Sequence, residues 1–195
     1  MPIEINVVFI INLVVGLCIF AILIAVLLNF IDDSDYKHKT QKEKKSIVET
    51  GTMTLFFVGV YFLLKMRVGV FESNNVVLVI SGLIIMIIGA WFNIWGRYYL
   101  GKNWANQIKI YNDHQLVTSG PYKIVRHPLY ASLIWMFYAS AFIYANWAVV
   151  IATSTVFVPF MYYRAKQEEK LLSGQFTNYK EYIKKTGMFF PKIIK

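Results

Sequence analysis

LYASLIWMFYASAFIYANWAVVIATSTVFVPFMYY, residues 129–163, contains no charged side chain and is too long for one straight crossing of a bilayer, which takes about 20 apolar residues. Asn146 near its middle marks the tip of a tight hairpin, so the stretch reads as two short, antiparallel spans. A helical conformation is required of both, because lipid offers no partners to backbone polar groups. Arg126-His127-Pro128 stands at the mouth of the first of these spans and Arg164 follows the second.

Upstream, the same criterion gives three further spans: about Val7 to Phe30, about Thr52 to Phe71, and about Val76 to Trp95. The second carries Lys65 and Arg67 near one end, which must snorkel or face protein. Only Glu72 to Asn75 separates the second from the third, a tight hairpin. Asp32 to Glu49 is a polar loop, the segment from Arg97 to His127 is mixed and amphipathic and suits the interface, and Arg164 to Lys195 reads as a charged helical tail.

Composition agrees with lipid as the solvent. Of 195 residues, 57% are hydrophobic and 16% charged, against roughly 25% charged in an average soluble domain. The net charge of +9 is not arranged as a basic stripe interleaved with aromatics, so nucleic acid is not the expected partner. Lys and Arg collect instead in alternate segments: five in the loop after span one, five in the segment after span three and eight in the tail. The loops between these, Glu72 to Asn75 and the tip at Asn146, hold none. By the positive-inside rule this gives five spans with the amino terminus outside and the tail cytosolic. Cys18, the single cysteine, lies within an apolar run and excludes a disulfide or a cysteine-based metal site within the chain; no metal is expected. The start, Met1-Pro2-Ile3-Glu4, has no basic region, and its apolar run is longer than a signal peptide's, so it reads as a retained helix. The fold class is therefore all-α, a multi-pass transmembrane helical protein of about five spans with a cytosolic interfacial segment and a helical tail. Residues 1–99 form a scaffold of three spans and residues 100–195 a functional region.

Three polar clusters share the cytosolic side: Asn103 to Gln107, His114 to His127, and Arg164 to Glu169. Gly120-Pro121-Tyr122 breaks the chain. Pro128 suits a first helical turn, where its missing N–H is no loss and neighbouring amides can receive a carboxylate. Taken singly, Arg126 and His127 read equally as interfacial anchors. Arg164 and Glu168, four apart on one helix face, read singly as a solvated ion pair.

Taken together, these blocks resemble the isoprenylcysteine carboxyl methyltransferases and their phospholipid-methylating relatives. The likeness covers roughly Leu100 to Pro191: Gln107; His114-Gln115-Leu116-Val117-Thr118-Ser119-Gly120-Pro121-Tyr122; Arg126-His127-Pro128-Leu129-Tyr130; Arg164 with Glu168-Glu169; then Phe176, Tyr179, Tyr182 and Phe189-Phe190-Pro191. Phe176-Thr177-Asn178-Tyr179 is one residue shorter than the family's F-G-x-x-Y form. The resemblance implies an S-adenosylmethionine pocket formed by Gln107, His114, Gln115, Leu116, Val117, Tyr122, His127, Pro128, Leu129, Tyr130 and Glu168. It places Arg164 toward the acceptor substrate. A cofactor with a sulfonium, an ammonium, a carboxylate and ribose hydroxyls matches an acidic partner, helix-start amides and aromatic walls.

A carboxylate acceptor needs no general base, only a cation to orient it, and the planar forks of Arg126 and Arg164 suit that task. The expected function is carboxyl O-methylation of an isoprenylcysteine-like or other lipophilic acid entering from the membrane. Three alternatives remain at this stage. Phospholipid (ethanolamine) N-methylation would need a base, for which His127 is a candidate. NADPH-dependent sterol or enone reduction shares the R-H-P-x-Y element, although such reductases follow it with Gly-Glu where this chain has Ala131-Ser132. A non-catalytic membrane scaffold is the fourth reading.

Overall fold

A computed structural model describes residues 2–36, 40–44, 50–71, 75–103, 108–111 and 115–192. Helices dominate: α1 (Pro2–Tyr36), α2 (Thr50–Lys65), α3 (Val76–Leu100), α4 (Pro128–Ile143), α5 (Trp147–Ala152), α6 (Val158–Gln175) and α7 (Tyr179–Lys185). Three apolar helical segments are long enough to cross a membrane, Asn6–Asn29, Val76–Leu100 and Trp147–Gln175, and two shorter apolar helices, Gly51–Lys65 and Pro128–Ile143, complete the five expected hydrophobic elements. The chain is an all-α integral membrane protein. Of the fifth element, Trp147 to Tyr163 is the apolar crossing portion, about 25 Å at 1.5 Å per residue; the charged continuation from Arg164 projects beyond it.

Local chemistry explains the helix boundaries. The Asn75 side chain accepts from the Val77 and Leu78 amides at 3.0 and 3.3 Å, capping α3. Asn146 caps α5 by accepting from the Val149 amide at 3.1 Å, and Ala145 takes the left-handed turn conformation, φ 46°, so the hairpin tip is where the sequence put it. Span two ends earlier than expected, at Lys65, not at Phe71, because Arg67 (φ 55°) and Gly69 (φ 74°) turn the chain out of the helix. Lys65 and Arg67 are exposed at that end. Between α5 and α6 the helix continues through a π turn, Thr153–Phe157, in which the Val158 amide reaches back five residues to the Thr153 carbonyl. Pro159 follows immediately; its missing N–H would interrupt an ordinary α-helical ladder, and the wider turn absorbs that interruption.

Two features fix which loops share an end of the bundle. At one end Phe71 donates to the Ala145 carbonyl and Trp147 to the Gly69 carbonyl, both at 3.0 Å, joining the turn after α2 to the α4–α5 tip. At the other, strand β1 (Thr40–Lys44) pairs antiparallel with β2 (Ile108–Tyr111), joining the segment after α1 to the segment after α3. This ribbon is a local addition that the all-helical reading did not foresee.

The tightest seam lies between α3 and α4. Gly82, Gly89 and Gly96 occur at seven-residue spacing along α3, and a methyl group on them would lie 2.8 Å from Ile143 Cγ1, 2.6 Å from Met136 Cγ and 3.0 Å from Leu129 Cδ2. Small residues of this kind let membrane helices approach closely. Asn93, fully buried on the same face, donates to Ser132 Oγ at 2.8 Å and to the Leu129 carbonyl at 3.2 Å, and accepts from Arg97 Nε at 2.9 Å. Gly89→Leu should therefore overpack the seam and destabilise the protein by about 1–3 kcal/mol. A lower thermal midpoint in detergent checks this, and an unchanged midpoint would contradict it.

Candidate active site

The site is assembled where α4 begins and α6 leaves the bundle. A 3₁₀ turn, Gly120–Lys123, carries Tyr122 inward; Gly120 is left-handed (φ 58°), and a side chain there would strike the ring of Tyr99. Tyr122 is buried, and its carbonyl accepts from the Tyr182 hydroxyl of α7 at 2.6 Å. The next residues lie beside the segment that follows α7, with the Arg126 amide donating to the Gly187 carbonyl at 2.8 Å and the His127 amide to the Met188 carbonyl at 3.2 Å. His127 then precedes Pro128 at the first turn of α4.

Helical spacing on α6 sets Arg164 and Glu168 on one face, with Glu169 beside them. The His127 imidazole lies between the two carboxylates: Nδ1 is 3.4 Å from Glu168 Oε2 and Nε2 is 3.3 Å from Glu169 Oε1. The other Glu168 oxygen receives the Tyr130 hydroxyl and lies 3.4 Å from Arg164 Nε, which also donates to the Tyr130 hydroxyl at 2.7 Å. Glu169 Oε1 receives Arg126 Nε at 2.7 Å. Arg126 also donates to the Thr186 carbonyl, and to that of Ile183 at 3.4 Å. The rings of His127 and Tyr130 are nearly parallel, 9° apart, at a centroid separation of 5.6 Å.

Two guanidinium groups thus balance two carboxylates around a single imidazole. Burial favours the neutral imidazole, but hydrogen bonds and charge from Glu168 and Glu169 outweigh it, so the His127 pKa is raised above its ordinary 6.5. For Glu169, burial favours the protonated acid, while His127 and Arg126 overcome it and hold the carboxyl at about 2. A depressed acid contributes stability that is present above its ordinary value of 4.5 and is lost as pH falls toward 2; a raised histidine contributes stability that is present below 6.5 and is lost as pH rises through its folded value. The cluster is most stabilising between these limits. Wild-type protein should consequently show a thermal midpoint that falls as pH is raised above 6.5. His127→Gln should flatten that fall; an equally steep decline in the variant would count against the assignment.

These side chains line a cavity of about 380 Å³, within the range of small-molecule sites. Its lining includes Gln115, Leu116, Val117, Tyr122, Arg126, His127, Pro128, Leu129, Tyr130, Arg164 and Glu168. Eleven positions singled out from the sequence therefore converge on one space; Gln107 and His114 lie outside the described residues. Glu168, with 23% of its side-chain surface accessible, borders the cavity. The cavity then continues into an apolar arm bounded by Ile22, Leu23 and Val26 of α1, Met53 and Phe57 of α2, and Leu133 and Met136 of α4. The scaffold half thus contributes to the same space.

Sequence reasoning omitted several lining residues. Tyr179 and Tyr182 belonged to the motif blocks without an assigned role, and Leu171 and Leu172 continue the Arg164–Glu168 face by one more helical turn, a periodicity that was available to read. Arg97, which the sequence marks only as the start of the amphipathic interfacial segment, lines the cavity and donates to Asn29 of α1 at 2.8 Å. Asn103, also lining, accepts from the Gln115 amide at 3.3 Å.

Comparison with known proteins finds a relative, the cobalt-zinc-cadmium resistance protein CzcN of Cupriavidus metallidurans, 30% identical over 95 residues. The alignment covers 48% of this chain and 44% of that protein, so this chain spans less than half the length of the curated relative that it matches. A family model matches residues 82–174, the stretch from α3 to the end of α6 that contains the Arg126-His127-Pro128 and Arg164–Glu168 elements, while α7 and the Phe189-Phe190-Pro191 block lie beyond it. The resemblance read from the motifs is thereby borne out: the family that residues 82–174 match is the isoprenylcysteine carboxyl methyltransferase (ICMT) family.

Proposed function

We propose that this chain is an integral membrane methyltransferase that uses S-adenosylmethionine and esterifies the carboxylate of a lipophilic, isoprenylcysteine-like acid. One observation carries the choice of acceptor: both ring nitrogens of His127 face carboxylates in the wall of a cavity that runs from Glu168 to the apolar surfaces of α1 and α2. Neither ring nitrogen of His127 is thus directed at an acceptor amine, which favours an acceptor that arrives already anionic over phosphatidylethanolamine.

The residues present suit the cofactor. Glu168 has acceptor capacity for ribose hydroxyls or an ammonium, the buried Tyr122 and half-buried Tyr130 offer aromatic surface to adenine or a sulfonium, and Gln115 to Val117 line the same cavity. Gln107 and His114 are carried over from the family resemblance alone. When bound, S-adenosylmethionine supplies an electrophilic methyl group that a carboxylate oxygen can take by direct displacement. The chain's own contribution is alignment and exclusion of water. Arg164, held by Tyr130 and Glu168, presents a cation where polar and apolar walls meet, and the arm between α1, α2 and α4 accommodates a hydrocarbon tail drawn from the bilayer. The clustering of Lys and Arg in alternate segments supports a site on the cytosolic side, with the amino terminus outside. The reductase reading loses support at Ser132, which is fully buried and hydrogen-bonded to Asn93 and the Leu129 carbonyl.

Purified full-length protein, given S-adenosylmethionine with a radiolabelled methyl group and either a prenylated cysteine acid or phosphatidylethanolamine, distinguishes the acceptors. Label in a base-labile ester of the acid is the expected result. Base-stable label in the phospholipid would replace O- with N-methylation.

A further inference from the structure

Arg126 invites assignment as a second cation for the acceptor, but its guanidinium is engaged elsewhere. Nε is committed to Glu169 at 2.7 Å, and Nη1 reaches the carbonyls of Ile183 and Thr186 at the end of α7. The same guanidinium therefore grips α6 and the segment that leaves α7. That segment is laid alongside the start of α4: Val125 and Gly187 form a parallel bridge, and the Gly187 and Met188 carbonyls accept from the Arg126 and His127 amides. Burial follows the hydrogen bonds. Thr186 and Phe189 are 4% and 8% exposed, and the Phe189 ring packs against His127 at a centroid separation of 6.2 Å.

We propose that Arg126 is a positioning residue, a latch that fastens residues 186–189 across the back of His127 and, through Glu169, orients the His127–Glu168 wall of the cavity. Glu169 Oε1 is shared between Arg126 Nε and His127 Nε2, so releasing the guanidinium frees the carboxylate that fixes one side of the imidazole. The other side of the imidazole faces Glu168, which borders the cavity. Carbonyl recognition adds a geometric requirement. A planar fork can hold a carboxylate and backbone carbonyls at once, whereas the single ammonium of lysine cannot reproduce that spread of donors. The latch also gives residues 186–189, which lie beyond the segment that matches the family, a role in the site. Its consequence for the cofactor rests on the methyltransferase reading; its consequence for the tail does not.

Hydrogen exchange on the full chain in detergent, without cofactor, tests the latch directly. In Arg126→Lys, peptides spanning 122–128 and 186–190 should exchange at least about tenfold faster, with α3 unchanged, since local opening is set by the contacts that close it. Gly187→Ala, whose new methyl group would strike the Phe190 carbonyl, should loosen the same peptides without altering the guanidinium, and it serves where the lysine variant fails to fold. Titration supplies the second arm: Arg126→Lys and Glu169→Gln should each weaken S-adenosylmethionine binding about tenfold, and the double variant little further, as expected for one coupled unit. The acceptor KM should stay nearly constant. Unchanged exchange in both Arg126→Lys and Gly187→Ala would overturn the latch. A raised acceptor KM with cofactor affinity intact would also overturn it, making Arg126 an acceptor contact. Wild-type protein that fails to bind S-adenosylmethionine would refute the proposed function, while the exchange arm would still decide the latch.

Discussion

Glu168→Ala is expected to lower affinity for S-adenosylmethionine by roughly two to three orders of magnitude, because truncating one partner of a desolvated, hydrogen-bonded charged contact costs about 2–5 kcal/mol of binding and each 1.4 kcal/mol is tenfold in affinity. Two effects combine. The cofactor loses an acceptor for its hydroxyls or ammonium, and Arg164, Tyr130 and His127 lose the carboxylate on which all three converge. Glu168→Gln, which keeps shape and one acceptor while removing charge, should recover part of the loss. Isothermal titration of detergent-purified variants checks the order wild type, Gln, Ala; equal affinity for all three would remove Glu168 from the site. Circular dichroism separates this from unfolding, since α3 and α4 are held together by contacts that do not involve Glu168.

Arg164→Ala should act on turnover. Glu168 keeps Tyr130 and His127 as partners in this variant, so cofactor affinity is expected to change by less than about tenfold. The acceptor carboxylate would lose its orienting cation, and misalignment of reacting groups by an ångström costs on the order of a hundredfold in rate. A drop of that size in kcat, partly restored by Arg164→Lys, is the expected pattern. Normal kcat with weakened cofactor binding would instead make Arg164 a purely structural partner of Glu168.

Hydropathy and a few capping residues make most of the architecture readable from sequence. Five apolar elements follow from lipid's demand for satisfied backbone groups, and Asn146 announces its hairpin because an amide side chain can close the first turn of the helix it starts. The end of α2 was less legible: Val68 to Phe71 prolongs the apolar run, and nothing in an arginine signals the left-handed turn that it adopts at position 67. The β1–β2 ribbon was illegible for a different reason. Its strands are short and distant in sequence: β1, Thr40–Lys44, is polar throughout, and β2, Ile108–Tyr111, offers only four residues of alternation, too few to mark a strand.

The site shows the same division. Ordered polar blocks at one end of the bundle identify Tyr122, His127, Tyr130, Arg164 and Glu168 as neighbours, and they share the cavity. What a motif cannot display is which groups a side chain spends on backbone carbonyls. The Arg126 contacts with the carbonyls of Ile183 and Thr186 depend on how α7 ends, and the pairing of the same guanidinium with Glu169 is not visible in the motif.

The central claim is that the cavity between the start of α4 and the face of α6 is an S-adenosylmethionine site. Titration of the purified full chain in detergent with S-adenosylmethionine, and in parallel with NADPH, tests it most directly. Saturable binding of S-adenosylmethionine alone, weakened at least about a hundredfold in Glu168→Ala, is the result predicted; binding of NADPH alone, or of neither ligand, would contradict it.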